Sequence, residues 1–152
     1  MFELNLPETE LNIRELKGKN YIFDPLRKQF VRFSPEEYVR QLFTAFLKEH
    51  KDYPQNRMAN EIEIALGNVR RRCDTVVYDE FLQPLMIIEY KAPSVAVSQT
   101  TFDQICRYNM SLNVKWLIVS NGLKHYCCRI DPETQTYSFL SDVPKYGDLK
   151  LS

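Results

Sequence analysis

Hydrophobic positions repeat with two different periods along this chain, and each period predicts a different kind of element. Between residues 38 and 47 the apolar side chains recur at helical spacing. The residues just before them are typical of a helix start, with Ser34 as N-cap, Pro35 in the first turn and Glu37 at the capping-box position. Residues 58–66 instead alternate and end at Gly67, which predicts a strand.

Further apolar runs predict the rest of a sheet. Residues 72–78 and 85–88 are joined by a polar connection of hairpin length, so we expect two antiparallel neighbours. The unbroken run 85–88 is typical of a strand covered on both faces. A helix is predicted from Ser98, with an inward stripe at spacings of three and four, and three more strands follow it. These strands are 114–120, 123–130 after an Asn121-Gly122 turn, and 137–140.

The N-terminal part predicts a β-hairpin, because residues 19–24 and 29–33 flank a turn at 25–28. We therefore expect one domain over residues 1–152, with a hairpin extension (1–33), a core (34–140) and a short tail (141–152). A chain of 152 residues with 44% hydrophobic content can bury one core of that size.

Composition narrows the possible settings. The 20 basic residues balance the 20 acidic ones, which argues against a protein that merely coats nucleic acid. Neither a membrane span nor a secretion signal is visible, so a cytoplasmic location is predicted. The four cysteines lack zinc-site spacing and are predicted to be buried thiols, and two histidines are too few for a histidine metal site.

Three charged residues at strand ends are the main candidates for chemistry. Glu89 and Lys91 follow the buried run on one face, with α-carbons roughly 6–7 Å apart, and Asp74 lies on the neighbouring strand. Two carboxylates form a hard-oxygen site that suits Mg²⁺ or Mn²⁺, and a lysine beside them can stabilise a phosphodiester transition state. The simpler alternative is a Glu89–Lys91 ion pair at a half-exposed strand end, with Asp74 solvated.

These residues also resemble a known signature. Asp74, then 14 residues, then Glu89-Tyr90-Lys91 is similar to the PD-(D/E)xK nuclease motif, with Cys73 in place of its usual proline. Residues 74–79, 89–93 and 107–109 resemble more specifically the nuclease domain at the N-terminus of type I restriction enzyme R subunits, over roughly residues 34–130.

The resemblance implies an α/β fold with a restriction-endonuclease-like αβββαβ core, a mixed sheet flanked by helices, which is the order predicted above. It implies an Mg²⁺- or Mn²⁺-dependent deoxyribonuclease, acting on ends or interior sites, with DNA and restriction-modification subunits or further copies as partners. Asp74, Glu89 and the Tyr90 carbonyl would hold the metal, and Lys91 would activate water. Gln104 and Tyr108 match a Gln-x-x-x-Tyr motif that would orient the strand or the lysine. On spacing alone, both are ordinary residues of an amphipathic helix.

Some assignments stay open. Arg70, Arg71 and Arg72 could contact DNA phosphates or simply be solvated. Glu37 could complete the metal site or only cap its helix, and the face of Glu63 is undetermined.

Other readings of the whole chain also stay open. A non-catalytic nucleic-acid or protein-binding module on the same fold is the main alternative. A Schiff-base enzyme using Lys91 is disfavoured, because neighbouring carboxylates favour its protonated form. No Gly-rich phosphate loop is present, so we expect no ATP site, in either a stand-alone nuclease or a fragment of a longer protein.

Overall fold

The computed structural model describes residues 3–150 and contains two sheets and two α-helices. The N-terminal sheet has three antiparallel strands: β1 (Ile13–Leu16), β2 (Lys19–Asp24) and β3 (Gln29–Arg32). The main part follows as α1 (Pro35–His50), β4 (Met58–Leu66), β5 (Val69–Tyr78), β6 (Pro84–Tyr90), α2 (Gln99–Met110), β7 (Trp116–Ser120), β8 (His125–Asp131) and β9 (Thr136–Leu140). Short 3₁₀ helices span Gln55–Arg57 and Tyr146–Lys150.

The six strands of the main sheet lie in chain order, and only the β6–β7 pair is parallel. A parallel pair needs a crossover, and α2 supplies it. The predicted α/β fold with a mixed sheet and an αβββαβ order is therefore confirmed.

The two helices cover opposite faces of this sheet, because alternate residues of β6 point to opposite sides. Met86 and Ile88 pack in one buried cluster with Phe43 of α1, whereas Ile87 packs in another with Phe102 of α2. A strand buried on both sides explains the unbroken apolar run. The four cysteines are buried free thiols, as predicted.

The helix starts are confirmed, with Ser34 and Ser98 as N-caps. The Ser34 hydroxyl accepts a hydrogen bond from the Glu37 amide at 3.0 Å. The Glu37 carboxylate, however, bonds to other side chains, described below, so the local capping role does not account for it. Among residues 3–150, no helix is long and apolar enough to cross a membrane.

Three boundary predictions were wrong. The N-terminal extension is a three-stranded sheet rather than a hairpin, because β1 pairs with β2 while exposing most of its side chains and so carries little hydrophobic pattern. The turn after β7 spans residues 121–124, because the Asn121 side chain accepts both the Leu123 and Lys124 amides. Strand β5 begins at Val69, so residues 70–72 lie within it.

The prediction of a short tail after residue 140 is also wrong for the residues that the structure describes, because this segment packs into the core. Val143, Tyr146 and Leu149 are buried in the α1-side core. The Leu149 carbonyl accepts a hydrogen bond from the Trp116 indole at 3.2 Å, and the Tyr146 hydroxyl donates to the Tyr78 carbonyl at 2.7 Å. Tyr146 and Leu149 lie in the short 3₁₀ segment and Val143 lies before it. Three apolar side chains placed in this way give no clear period, which is why the sequence did not reveal the packing. Residues 151–152 of the predicted tail lie outside the described residues.

Candidate active site

The candidate site is a cleft where β5 and β6 separate. Their regular pairing ends at Thr75 opposite Ile88, and the next residues along the two strands are Asp74 and Glu89. In place of a further ladder bond, the Asp74 carboxylate accepts the Tyr90 amide at 2.9 Å. Polar groups line the cleft, which has a volume of about 680 Å³. The two acids thus meet at the point where the sheet opens.

Lys91 lies one residue beyond the end of β6 and lines the same cleft. Its amide donates to the Ser120 carbonyl at 2.9 Å, which extends the contact between β6 and β7 and fixes the lysine backbone. In the described part of the chain its side chain forms no ion pair or hydrogen bond, so the alternative Glu89–Lys91 pair does not form. The ammonium group is therefore available to a ligand in the cleft.

Burial makes ionisation of both acids unfavourable. Burial is the largest influence on Glu89 and, with the nearby negative charge of Asp74, it raises the pKa of that carboxyl above its ordinary value. Burial likewise raises the pKa of Asp74, although the Tyr90 amide and the Arg40 charge oppose the effect. Two partly desolvated carboxyls side by side favour the arrival of a cation or a proton.

A network of charged side chains lines the α1 side of the cleft. Arg40 donates to both oxygens of the Glu37 carboxylate at 2.8 and 3.0 Å, and to the backbone carbonyl of Asp74 at 2.8 Å. Glu37 also accepts Arg27 at 2.7 Å and Gln41 at 3.0 Å. Burial disfavours the charged form of Glu37, but these hydrogen bonds outweigh it and lower its pKa.

Glu61 is an acid of the cleft that the sequence did not identify. It lies on β4 with φ of 54°, and its carboxylate bridges Arg40 at 2.9 Å and Arg72 at 3.1 Å. Glu63, by contrast, is exposed and lies 3.7 Å from Arg70. The left-handed backbone at Glu61 departs from regular strand geometry, so strand parity could not show which acid faces the cleft.

The two residues of helix α2 that the resemblance assigns to the site lie outside the cleft. Gln104 and Tyr108 are exposed and are not among the residues that line the cleft. The Tyr108 ring lies 3.7 Å from the Arg71 guanidinium, a cation–π contact.

The neighbouring Asn109 is buried, and its side-chain amide donates to the Ile105 carbonyl at 2.9 Å. Asn109 also lies near enough to Glu89 to offset part of the rise in the Glu89 pKa. The sequence signal for Asn109 was its spacing, since it lies three and four residues after Cys106 and Ile105 and so falls, as a polar residue, on the predicted inward stripe of the helix.

Comparisons with known proteins agree with this architecture. A family model described as type I restriction enzyme R protein N terminus matches residues 35–144. The chain belongs to this family. The matched range runs from the start of α1 past the end of β9, and therefore contains the whole main sheet and every residue that lines the cleft except Ser34.

A solved structure supports the same fold. The fragment, from Vibrio vulnificus YJ016 and described as an HsdR subunit of a type I restriction enzyme, matches with a TM-score of 0.54 and 21% sequence identity. The match covers 77% of this chain and 24% of the fragment, so the chain spans about a quarter of that structure's length. Comparison with curated protein sequences gives no significant match.

Proposed function

We propose that this R-subunit N-terminal domain hydrolyses DNA phosphodiester bonds with a divalent cation, Mg²⁺ or Mn²⁺, bound in the cleft. The observation that carries the proposal is the meeting of Asp74, Glu89 and Lys91 where β5 and β6 diverge. Membership of the restriction enzyme family makes DNA the expected substrate, and restriction-modification subunits or further copies of the chain the expected partners.

The donor set fits such an ion. Asp74 and Glu89, with the Tyr90 carbonyl, offer hard oxygen ligands, and the raised pKa of both carboxyls reflects charges that lack a full partner. The bound ion would lower the pKa of an attacking water and offset negative charge on the phosphate. Glu37 is already held by Arg27, Arg40 and Gln41, so we assign it to support of the site rather than to metal binding.

The remaining residues act on the substrate. Lys91, whose side chain is free of ion pairs in the described chain, would position the attacking water and stabilise the extra negative charge of the transition state. Because Gln104 and Tyr108 are exposed, we assign them to contacts with the DNA strand. Residues 70–72 would contact backbone phosphates, since Arg70 and Arg72 point to solvent from β5.

The test is cleavage of supercoiled, linear and single-stranded DNA with magnesium or manganese. Lys91→Ala and Asp74→Ala should each lower the rate by about a thousandfold or more while the thermal melt remains cooperative. Lys115→Ala is the matched control, since this exposed lysine directly precedes β7, at the opposite end of that strand from Ser120 and the cleft. A wild-type chain that cuts none of these DNA forms would refute the proposal.

One observation favours a non-catalytic binding module instead. Within residues 3–150, no three His, Cys, Asp or Glu side chains are grouped closely enough to hold a metal ion. Calorimetric titration with manganese separates the two functions. Binding that Asp74→Ala abolishes supports the nuclease, whereas no binding, or binding that Asp74→Ala leaves unchanged, supports the module.

A further inference from the structure

The turn between β2 and β3 contacts Glu37, a residue that lines the cleft, although the turn precedes the family match, which begins at residue 35. We propose that Asp24, the last residue of β2, and Arg27 of the following turn are positioning residues that hold the backbone on which Asp74 and Tyr90 sit. The inference rests on the proposed function for what the cleft does. The placement of the two residues rests on two separate chains of hydrogen bonds.

The first chain runs through charged side chains. Arg27 donates to Glu37 at 2.7 Å, and Arg40 grips the same carboxylate at 2.8 and 3.0 Å. Arg40 then donates to the Asp74 carbonyl at 2.8 Å. A guanidinium is a planar fork with fixed donor directions, so each link sets the orientation of the next. The position of Arg27 is thereby transmitted to the backbone of Asp74.

The second chain begins at Asp24 and runs through neutral side chains of the main sheet. Asn60 donates to the Asp24 carboxylate at 2.9 Å and accepts the Thr75 hydroxyl at 2.6 Å. The Tyr90 hydroxyl donates to the Thr75 oxygen at 2.9 Å. Thr75 follows Asp74, and Tyr90 separates Glu89 from Lys91, so this chain ends beside all three proposed active residues.

Asp24 joins the two chains. Its side chain is fully buried, pairs with Arg27, and accepts the Leu26 amide at 2.8 Å and the Asn60 amide at 2.9 Å. Burial opposes its charge, but these hydrogen bonds prevail and lower its pKa. A buried network of this kind is rigid only while every member has its partners. Loss of one link from the turn should therefore loosen the far ends in the cleft.

A purely structural role would be to attach the N-terminal sheet to the core. The Tyr90 amide distinguishes the two roles, because it donates directly to the Asp74 carboxylate at 2.9 Å. Its hydrogen-exchange rate reports how well that carboxylate is held, in the absence of any metal. The Ile118 amide, in the middle of the sheet, serves as the reference for global unfolding because Ile118 is fully buried on β7.

The experiment compares Arg27→Gln, Arg27→Lys and Arg32→Ala in the full chain. Arg27→Ala is avoided because it leaves a larger gap beside the buried Asp24. Arg32 is an exposed arginine on β3 and is the control for loss of one positive charge from the same sheet. Arg27→Gln should speed Tyr90 exchange about tenfold relative to Ile118 and weaken manganese binding by about 10- to 100-fold. Arg27→Lys should lie between this variant and wild type, and Arg32→Ala should match wild type.

Two results would overturn the inference. One is Tyr90 exchange in Arg27→Gln that is unchanged, or that accelerates only in step with Ile118, since this is the behaviour of a global stability element. The other is selective Tyr90 acceleration with unchanged manganese affinity. If the wild-type chain binds no manganese, the proposed function fails, and the Tyr90 to Ile118 ratio alone still decides whether the turn positions the cleft.

Discussion

Two pairs of acids, one buried and one half-buried, are linked by a short chain of hydrogen bonds, and their pKa values shift in opposite directions. Asp24 and Glu37, the arginine-bound acids, have lowered pKa values although burial opposes their ionisation. Asp74 and Glu89, the strand-end acids, have raised pKa values, chiefly through burial. Desolvation has the same sign in both sets, so the hydrogen-bond partners account for the difference.

Arg40 shows how the sequence separates the two sets. This single guanidinium contacts Glu37 and Glu61 through their carboxylates but reaches Asp74 only through its backbone carbonyl. The Asp74 backbone is therefore fixed while its carboxylate keeps only the Tyr90 amide as a hydrogen-bond donor. We infer that the acids with fixed arginine partners stabilise the fold, and that the acids without them are the ones that would bind the divalent cation of the proposed function.

The largest effect is expected from a substitution that removes one of the arginine-bound acids. Glu37→Ala leaves the buried Arg40 and the partly buried Arg27 without their shared acceptor, so the free energy of unfolding should fall by about 3–5 kcal/mol. Urea denaturation at pH 7 measures this change. Glu36→Ala, which removes the exposed neighbouring acid, should cost less than about 1 kcal/mol. A similarly small loss in Glu37→Ala would show that the network does not stabilise the fold.

The next largest effect is expected when a cation is added as a partner for the strand-end acids. Manganese at 100 times its dissociation constant should stabilise the wild-type chain by about 2.7 kcal/mol, because only the folded state brings Asp74 and Glu89 together. Thermal melts with and without the ion measure this gain. In Asp74→Ala the gain should vanish. An equal gain in that variant would place the bound ion elsewhere on the molecule.

Much of the fold followed from local pattern. The α1 cap at Ser34, the strand ending at Leu66 and the hairpin of β5 and β6 all have strong periods or turn chemistry within a few residues. The shared cleft of Asp74 and Glu89 was predictable for the same reason, since a short hairpin leaves only one register in which the apolar runs face each other.

The arginine-bound acids could not be predicted this way. Asp24 meets Asn60 across 36 residues and Arg40 meets the Asp74 carbonyl across 34, so no local period carries the information. At Glu37 a local explanation was available, the capping box, and it concealed the tertiary contacts. The strained φ of Glu61 likewise hid its face, because parity arguments assume a regular strand.

The smallest expected effect is a difference between the two sets of acids in how their contributions to stability depend on pH. Glu89→Gln keeps the side-chain shape but removes the charge that burial and Asp74 disfavour, so at pH 7 without metal it should stabilise the chain by roughly 0.5–2 kcal/mol. A raised carboxyl pKa means that the folded chain binds the proton more tightly than the unfolded chain. The contribution of Glu89 to wild-type stability therefore falls as pH rises from the ordinary value of 4.5 through the raised pKa, and the advantage of the variant develops over this window. Glu37→Gln has the opposite sign, since the stability from its lowered pKa is lost as pH falls below 4.5. Urea denaturation at a series of values from about pH 3 to about pH 8, a range that includes the ordinary carboxyl pKa of 4.5, measures both curves. Curves that run in the same direction would remove the distinction between the two sets of acids.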